Sequence, residues 1–263
     1  MVRPGPAQPT EVDWTEHGPG LQSAQIQVDR RTPVGDSTLV VLRADPAVWS
    51  PRLLIGARHD SLRARTARRW AESFDLAVVA NAGMYARDHA THVGYLRTAD
   101  GHVHNPEVNH YKSAAAFAPK HDALPPFRIF DLDETPIDTV RARYRGVVQN
   151  LRLIKRPGEN RWPPKDERWS ECALATDQKG RLLFVFSRSP YSMHVFNEVL
   201  LSLPLNIVAA QHLEGGPEAS LFLRPPGDST SAQGWVGSWE TGFKESNANE
   251  GFWPLPNVIG LTR

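Results

Sequence analysis

Two polar turns that contain glycine each follow a short apolar run, and their residue types suit a ligand site. Residues 81–85 (NAGMY) follow the run VVA, and residues 212–218 (HLEGGPE) follow IVAAQ. Turns at strand ends are held rigidly while their backbone N–H groups stay free, and glycine lets a ligand approach the backbone. Each could be a plain tight turn; as a pair, they support a ligand site and plain turns about equally. The candidate residues are Asn81, Gly83, Tyr85, Glu214, Gly215, Gly216 and Glu218.

A second polar group consists of histidines. Five of the ten fall in one segment: His89, His92, His102, His104 and His110. His102 and His104 are two residues apart, so on a strand they share one face, an arrangement that metal sites use. The alternative is a hairpin that exposes polar residues beside the Asp100-Gly101 turn. No cofactor is predicted, and a divalent metal stays open.

The run Asn109-His110-Tyr111-Lys112 enters a predicted strand of small residues at 113–118. A polar cluster entering a buried strand has the same design as the two glycine turns. We therefore expect His110 and Lys112 to line the same pocket.

These residues need a scaffold of short strands with few helices. Helices are predicted at 61–74, where Trp70 and Phe74 continue a four-residue spacing, and from Ser192 as cap to about Leu203. Apolar or alternating runs predict strands at 21–28, 37–43, 75–80, 93–97, 102–104, 113–118, 127–132, 147–154, 182–187, 206–210, 219–223 and 257–261. Residues 162–169 are interpreted as a surface excursion and 228–250 as a loop, in which Trp235 and Trp239 either stack on sugars or simply pack.

This pattern predicts an α+β fold: a mixed, largely antiparallel sheet core with a few flanking helices, in one domain. With 263 residues and no internal repeat or midpoint shift in composition, the chain is expected to form a single domain over 21–263. Residues 1–20 are expected to form an extended linker.

Composition restricts the partners. The net charge of +1 argues against a nucleic-acid-binding protein. The longest apolar stretch, 199–210, is interrupted by Pro204 and Asn206, so a transmembrane segment is not expected and the chain should be soluble. The single cysteine, Cys172, excludes an internal disulfide framework. If the opening residues are what remains of a leader, the protein is exported or associated with the cell envelope; a cytoplasmic location is the alternative. The oligomeric state is open.

An ordered set of sequence blocks resembles the phosphodiester glycosidase family. The blocks are NAGMY at 81–85, VGYL at 93–96, GVVQN at 146–150, TDQKGRLLFV at 176–185 and LEGGPEASL at 213–221. The resemblance covers residues 76–261 and is carried by the order of the blocks rather than by any one of them. It implies a mixed α/β architecture and hydrolysis of a sugar-1-phosphodiester bond.

The chain departs from that family at three points. The family turn reads Leu-Asp-Gly-Gly-Gly-Ser, and here Glu214 stands in place of the aspartate. A family arginine falls at Cys172, and another near Phe252-Trp253. Their loss removes bidentate donors suited to phosphate. Either Arg188, Lys112 and His110 replace them, or the substrate is not a standard phosphodiester.

The residues themselves suggest a mechanism. A phosphodiester is already a good leaving group, so one carboxylate as nucleophile or base suffices, with donors that neutralise the phosphate. Glu214 is the predicted carboxylate, with Glu218 as alternative or partner. Asn81, Gln149 and Asn150 are expected to bind sugar hydroxyls, alongside Tyr85. Gly83, Gly215 and Gly216 would admit the ligand. Arg188, just after the 182–187 strand, would face the phosphate; an ordinary surface ion pair is its alternative.

The sequence thus predicts a hydrolase that releases an N-acetylhexosamine from a phosphodiester of a cell-envelope glycan. Its rivals are a relative that binds carbohydrate or phosphate without catalysis, and metal-assisted hydrolysis by the histidine cluster.

Overall fold

The computed structural model describes residues 10–59, 65–240 and 242–263, and this part of the chain forms an α+β fold with three α-helices. The helices are α1 (Ala67–Phe74), α2 (Ile137–Arg143) and α3 (Met193–Ser202). In chain order, the strands are β1 (Thr15–Glu16), β2 (Leu21–Gln27), β3 (Thr38–Ala44), β4 (Ser50–Ile55), β5 (Val78–Asn81), β6 (Leu96–Arg97), β7 (Val103–Asn105), β8 (Ser113–Pro119), β9 (Phe127–Asp131), β10 (Tyr144–Asn150), β11 (Arg152–Lys155), β12 (Glu159–Asn160), β13 (Trp169–Asp177), β14 (Leu182–Tyr191), β15 (Ile207–Gly215), β16 (Ser220–Leu223), β17 (Gln233–Val236), β18 (Trp239–Glu240), β19 (Glu245–Ser246) and β20 (Asn257–Thr262). The predicted fold class is confirmed.

The strands form three larger sheets and one short ribbon. The eight-stranded sheet has the order β1-β2-β3-β14-β13-β15-β11-β12. The two five-stranded sheets have the orders β7-β6-β10-β8-β9 and β17-β16-β5-β20-β4, and β18 pairs with β19. The strand pairings within the described residues are antiparallel.

The three larger sheets share one central core. It contains Leu174, Phe184 and Leu213 from the eight-stranded sheet, together with side chains from both five-stranded sheets. Those of the five-stranded sheets include Ala115, Phe117, Val148, Val78, Ala80, Leu221 and Ile259. Because strand residues alternate between faces, each sheet also needs a cover for its other face.

One helix covers the outer face of each large sheet. Trp70 of α1 packs with Val79 of β5, whose neighbours Val78 and Ala80 point into the central core. Val140 of α2 packs with small residues of β8, and Phe196 of α3 packs on β3, β13 and β14. The sheets are thus buried on both sides, which fixes the strand ends that carry the polar turns.

Helix α1 is shorter than predicted. Residues 61–64 of the expected helix lie outside the described part of the chain, and Arg65 forms a β-bridge with Leu255. Thr66 then caps the helix by accepting a hydrogen bond from the Arg69 N–H, and Asp75 ends it in the left-handed conformation. Because a bridged residue is extended, the helix begins only after the cap.

Residues 147–154 were predicted as one strand, and this is wrong. The chain leaves β10 at Asn150 and enters β11 at Arg152, which belongs to a different sheet. Leu151 lies at the crossing, where its N–H is bonded by the Asn150 side chain and its C=O by the His212 N–H. Two apolar runs that meet end to end gave no sign of this change of sheet.

Other features also differ from expectation. Helix α2 was not predicted because Val140 is its one buried residue, too few for an apolar stripe. Part of the predicted linker joins the sheet, since Thr15–Glu16 pairs with Gln22 and Ser23; residues 1–9 lie outside the described chain.

Within the described residues, no helix has the length and apolar character needed to cross a membrane.

Gly146 of β10 lies against the core ring of Phe117 and gives a direct test of this packing. A Cβ at Gly146 would lie 2.3 Å from that ring, whereas a Cβ at Gly251 would meet nothing within 4 Å. We expect Gly146→Ala to lower the free energy of unfolding by about 1–3 kcal/mol because the core would be overpacked. Gly251→Ala should stay within about 0.5 kcal/mol of wild type in urea unfolding. Equal stability of the two variants would contradict this packing.

Candidate active site

A cavity of about 430 Å³ lies where the two glycine turns meet. Its lining residues are Met84, Tyr85, His89, Leu151, Trp162, Lys165, Glu167, Trp169, His212, Glu214, Gly215, Glu218 and Phe243. Of the predicted site residues, the structure brings Tyr85, Glu214, Gly215 and Glu218 together at this cavity. The turns touch directly, because the Tyr85 N–H donates to Glu214 Oε2 over 3.2 Å.

Glu214 is the carboxylate best placed for chemistry. Its side chain is 19% exposed, and its Oε1 accepts a 3.1 Å hydrogen bond from the Gly215 N–H. Burial raises the pKa of Glu214 to about 7, and the nearby Glu218 charge adds to the rise. His212 and the N–H groups of Gly215 and Tyr85 act in the opposite direction. Near neutral pH both the ionised and the protonated forms of this carboxyl group are therefore populated.

A buried pair of side chains, His212 and Glu171, stands next to Glu214. His212 Nδ1 lies 2.7 Å from Glu171 Oε1, and His212 Nε2 lies 3.9 Å from Glu214 Oε1. The indole N–H of Trp169 donates to the other Glu171 oxygen over 2.9 Å. Burial raises the pKa of Glu171, against the opposing effects of His212 and Trp169. Burial lowers the pKa of His212, but the charge and hydrogen bond of Glu171 outweigh it, so that pKa is raised.

Sequence reasoning missed Glu171 and His212. His212 stands two residues before Glu214, which on a strand indicates a shared face. Glu171 interrupts a strand of otherwise small or apolar residues, and a carboxylate in such a place is unusual unless it is paired. Both signals were present, but their meeting depends on the register of β13 against β15.

A β-bulge sets that register. Cys172 pairs with Glu214 and Ala173 pairs with His212, so Leu213 is an extra residue on β15. The predicted turn therefore begins later than expected: β15 continues to Gly215, and a short 3₁₀ turn follows at Gly216–Glu218. Bulges redirect side chains next to them. Here the bulge lies between His212 and Glu214, the two residues that face each other at 3.9 Å.

Asn81 and Gly83 support the first turn and do not line the cavity. Asn81 is fully buried and accepts a hydrogen bond from the Ser220 N–H. Gly83 has a φ of +135°, and a Cβ there would lie 2.4 Å from Asn150 Nδ2 and 2.8 Å from His92 Nε2. The residue must therefore be glycine for both backbone and packing reasons.

Gln149 and Asn150 are also structural in this arrangement. Both are fully buried and neither lines the cavity. The Gln149 amide exchanges four hydrogen bonds with backbone groups of Tyr95, Asn109 and Tyr111. Asn150 Nδ2 donates to the Leu213 C=O at the bulge over 3.3 Å. The expected contacts with sugar hydroxyls are not available to Gln149, because its donors and acceptors are already used.

Arg188 does not reach the cavity either. Its guanidinium donates to four backbone carbonyls, those of Val236, Gly237, Asn247 and Asn249, at 2.8–3.2 Å. The residue therefore ties the predicted loop to the end of β14. The role expected for it at the phosphate is not supported, because all four contacts are with the loop backbone.

The other predicted cations lie elsewhere. Lys112 is exposed and pairs with Asp133 at 3.0 Å, and His110 is exposed against the Tyr111 ring. Gly216 is buried, has a φ of +62° and offers its C=O to the Ser170 hydroxyl rather than to the cavity. Among the described lining residues, Lys165 is the one lysine or arginine, and it lies in the segment interpreted as a surface excursion.

The same segment supplies an aromatic wall. Trp162 and Trp169 meet edge to face with centroids 6.5 Å apart, and Trp169 lies 5.9 Å from Phe243. A Cβ at Gly215 would lie 2.3 Å from the Trp169 ring, so that glycine lets the indole approach the backbone next to Glu214. Trp235 and Trp239 do not line the cavity, and Trp239 packs on Trp253.

The predicted histidines do not converge on the cavity as a group. His89 lines the cavity. His92 is buried, and its burial lowers its pKa to about 4. His104 Nε2 accepts from the His92 N–H at 3.3 Å. Within residues 10–59, 65–240 and 242–263, no three His, Cys, Asp or Glu side chains are grouped so that they could hold a metal ion.

The buried Glu214 carboxyl group makes stability depend on pH. Its folded pKa of about 7 lies above the ordinary value of 4.5, so folding favours the protonated form. The contribution of this group to the free energy of unfolding is complete below about pH 4.5. It is lost as the pH rises through 7, and the free energy of unfolding then falls by about 3 kcal/mol. We therefore expect Glu214→Gln to gain stability relative to wild type between about pH 5 and pH 8.

Urea unfolding at several pH values measures this difference, and the surface variant Glu198→Gln is the control. Glu198 lies on α3, contacts Arg30 and His194, and does not line the cavity. If the difference in free energy of unfolding between Glu214→Gln and wild type does not change over this pH range, Glu214 is not buried as described.

Comparison with known proteins agrees with this architecture. The sequence model of the phosphodiester glycosidase family matches residues 74–262. A comparison with curated proteins finds no match. The catalytic domain of zebrafish N-acetylglucosamine-1-phosphodiester alpha-N-acetylglucosaminidase, auto-inhibited by its pro-peptide, superposes with a TM-score of 0.67 at 14% identity, over 98% of this chain and 91% of that one. A hypothetical protein from Synechocystis superposes with a TM-score of 0.61 at 14% identity, over 97% of this chain and 64% of that one. The family match spans most of the chain, which therefore belongs to the phosphodiester glycosidase family.

Proposed function

We propose that the protein hydrolyses a sugar-1-phosphodiester and releases the sugar from its phosphate, with Glu214 as the carboxylate that faces the anomeric carbon. The observation that carries the proposal is the position of Glu214: it lies in the cavity where the two turns meet, with a pKa of about 7. A group that titrates near neutral pH is suited to act as nucleophile or base. Family membership supports the reaction class.

The chemistry requires one carboxylate. The bond from the anomeric carbon to oxygen breaks, and its electron pair passes to the phosphate, which spreads the charge. Glu214 either attacks the anomeric carbon or takes a proton from the attacking water. In both cases water finally supplies the hydroxyl of the released sugar and a proton to the phosphate monoester. Glu218 also lines the cavity and is the alternative or partner carboxylate.

We propose an N-acetylhexosamine as the sugar. Support comes from the name of the zebrafish enzyme, which refers to an N-acetylglucosamine-1-phosphodiester. The aromatic wall of Trp162 and Trp169 offers apolar surface for a ring, and Lys165 offers a positive charge for the phosphate.

A second function, binding without turnover, is favoured by the scarcity of cations. Arg188 and Lys112 are engaged elsewhere, which leaves Lys165 as the lysine or arginine among the described lining residues. Titration calorimetry with an uncleaved N-acetylglucosamine-1-phosphate alkyl diester distinguishes the two. Tight binding with no released sugar would favour a binding protein.

The activity assay measures free N-acetylglucosamine released from the same diester and from UDP-N-acetylglucosamine, before and after dialysis against EDTA. We expect Glu214→Gln to lower kcat/KM by about 10²–10⁴-fold because the reacting carboxylate is lost. Glu198→Gln, on the surface of α3, should match wild type, and activity should survive chelation.

Two results would contradict the assignment. Full activity of Glu214→Gln with loss in Glu218→Gln would transfer the role to Glu218. Loss of activity on chelation, with restoration by a divalent metal, would favour metal-assisted hydrolysis.

A further inference from the structure

His212 has a carboxylate at each of its two ring nitrogens. Nδ1 lies 2.7 Å from Glu171 and Nε2 lies 3.9 Å from Glu214. The side chains of His212 and Glu171 are 4% and 1% exposed, so water screens their charges little. The function described above uses neither residue.

Both oxygens of Glu171 face nitrogen atoms that can donate, which is the arrangement an ionised carboxylate requires. The indole N–H of Trp169 can only donate, and it donates to Glu171 Oε2. The other oxygen, Oε1, receives Nδ1 of His212. A neutral imidazole that donates from Nδ1 would turn the lone pair of Nε2 toward Glu214. The imidazolium form instead carries an N–H at both nitrogens, each facing a carboxylate.

We propose that Glu171 keeps His212 in its imidazolium form, and that this imidazolium is the positive charge that favours the ionised form of Glu214 in the cavity. His212 and Glu171 are thus positioning residues that act through Glu214. The inference rests on the proposed function for its kinetic consequence, but the charge state of His212 can be measured without any substrate.

The contact between His212 and Glu214 works through charge. A distance of 3.9 Å is too long for a hydrogen bond, so no proton is shared in this arrangement, whereas an opposite charge at this range favours the ionised form of a carboxyl group. The pKa of His212 is raised although burial opposes it. The cavity lining adds five more titratable groups around the pair: Tyr85, His89, Lys165, Glu167 and Glu218. Cys172, next to Glu171, and Tyr111, near Glu214, are two others.

The first test is NMR of the full chain labelled with ¹⁵N-histidine. Comparison with the spectrum of His212→Gln assigns the His212 signals. In wild type we expect the His212 titration midpoint above 6.5, the ordinary pKa of histidine, with both nitrogens protonated below it. Glu171→Gln should move the midpoint below 6.5, and Glu171→Asp, which keeps the charge, should restore at least part of the shift. A wild-type midpoint below 6.5 would overturn the proposal.

The second test is the pH profile of kcat/KM. In Glu171→Gln the acidic limb should move up by about one pH unit, because Glu214 loses a nearby positive charge. Glu171→Asp should return it toward wild type, and Glu198→Gln should not move it. A fall in kcat/KM with no shift of the limb would show that Glu171 is merely structural and would overturn the positioning role.

The two tests separate the two proposals. If no diester is cleaved at any pH, the proposed function fails, and the NMR titration still decides whether His212 is an imidazolium held by Glu171. If diesters are cleaved and the titration midpoint of His212 lies below 6.5, the proposed function stands and this inference fails. Thermal melting of each variant confirms that it is folded at the temperature used.

Discussion

A carboxylate that is largely removed from water needs compensating donors or a positive charge, and the site is organised around this need at Glu214. Two backbone N–H groups, of Tyr85 and Gly215, bind its oxygens. His212 stands at 3.9 Å, itself held by Glu171. Such partial compensation leaves the pKa of Glu214 at about 7 rather than at either extreme. Loss of any one of these partners would change the fraction of Glu214 that is ionised at a given pH.

The fold supplies these partners from different sheets. Glu171 and Glu214 lie on neighbouring strands of the eight-stranded sheet, whereas Tyr85 follows β5 of a five-stranded sheet. The shared core fixes the two sheets against each other, so the strand ends meet at one cavity. Much of this could be predicted, since strands such as β14 and β16 have clear apolar runs. The change of sheet between Asn150 and Arg152 could not be predicted, because local periodicity does not indicate which strands pair with each other.

The site was predictable in part for the same reason. Glycine-containing segments after apolar runs indicated Tyr85 and Glu214, although Glu214 lies on β15 itself and the turn follows it. Glu171 escaped notice because its meeting with His212 depends on a register and a one-residue bulge. Arg188 was misassigned because its residue type shows only that the side chain can donate hydrogen bonds. The fold determines the acceptors, which here are four backbone carbonyls of a loop.

The most direct measurement of the central claim is a crystal structure of the Glu214→Gln variant with an N-acetylglucosamine-1-phosphate alkyl diester bound. The account predicts the sugar ring in the 430 Å³ cavity, with its anomeric carbon in the reacting range of about 3–3.5 Å from the side chain at position 214 or from a water bonded to it. The phosphate should lie on the side of Lys165. A diester bound outside this cavity, or within it with the anomeric carbon turned away from position 214, would contradict the account.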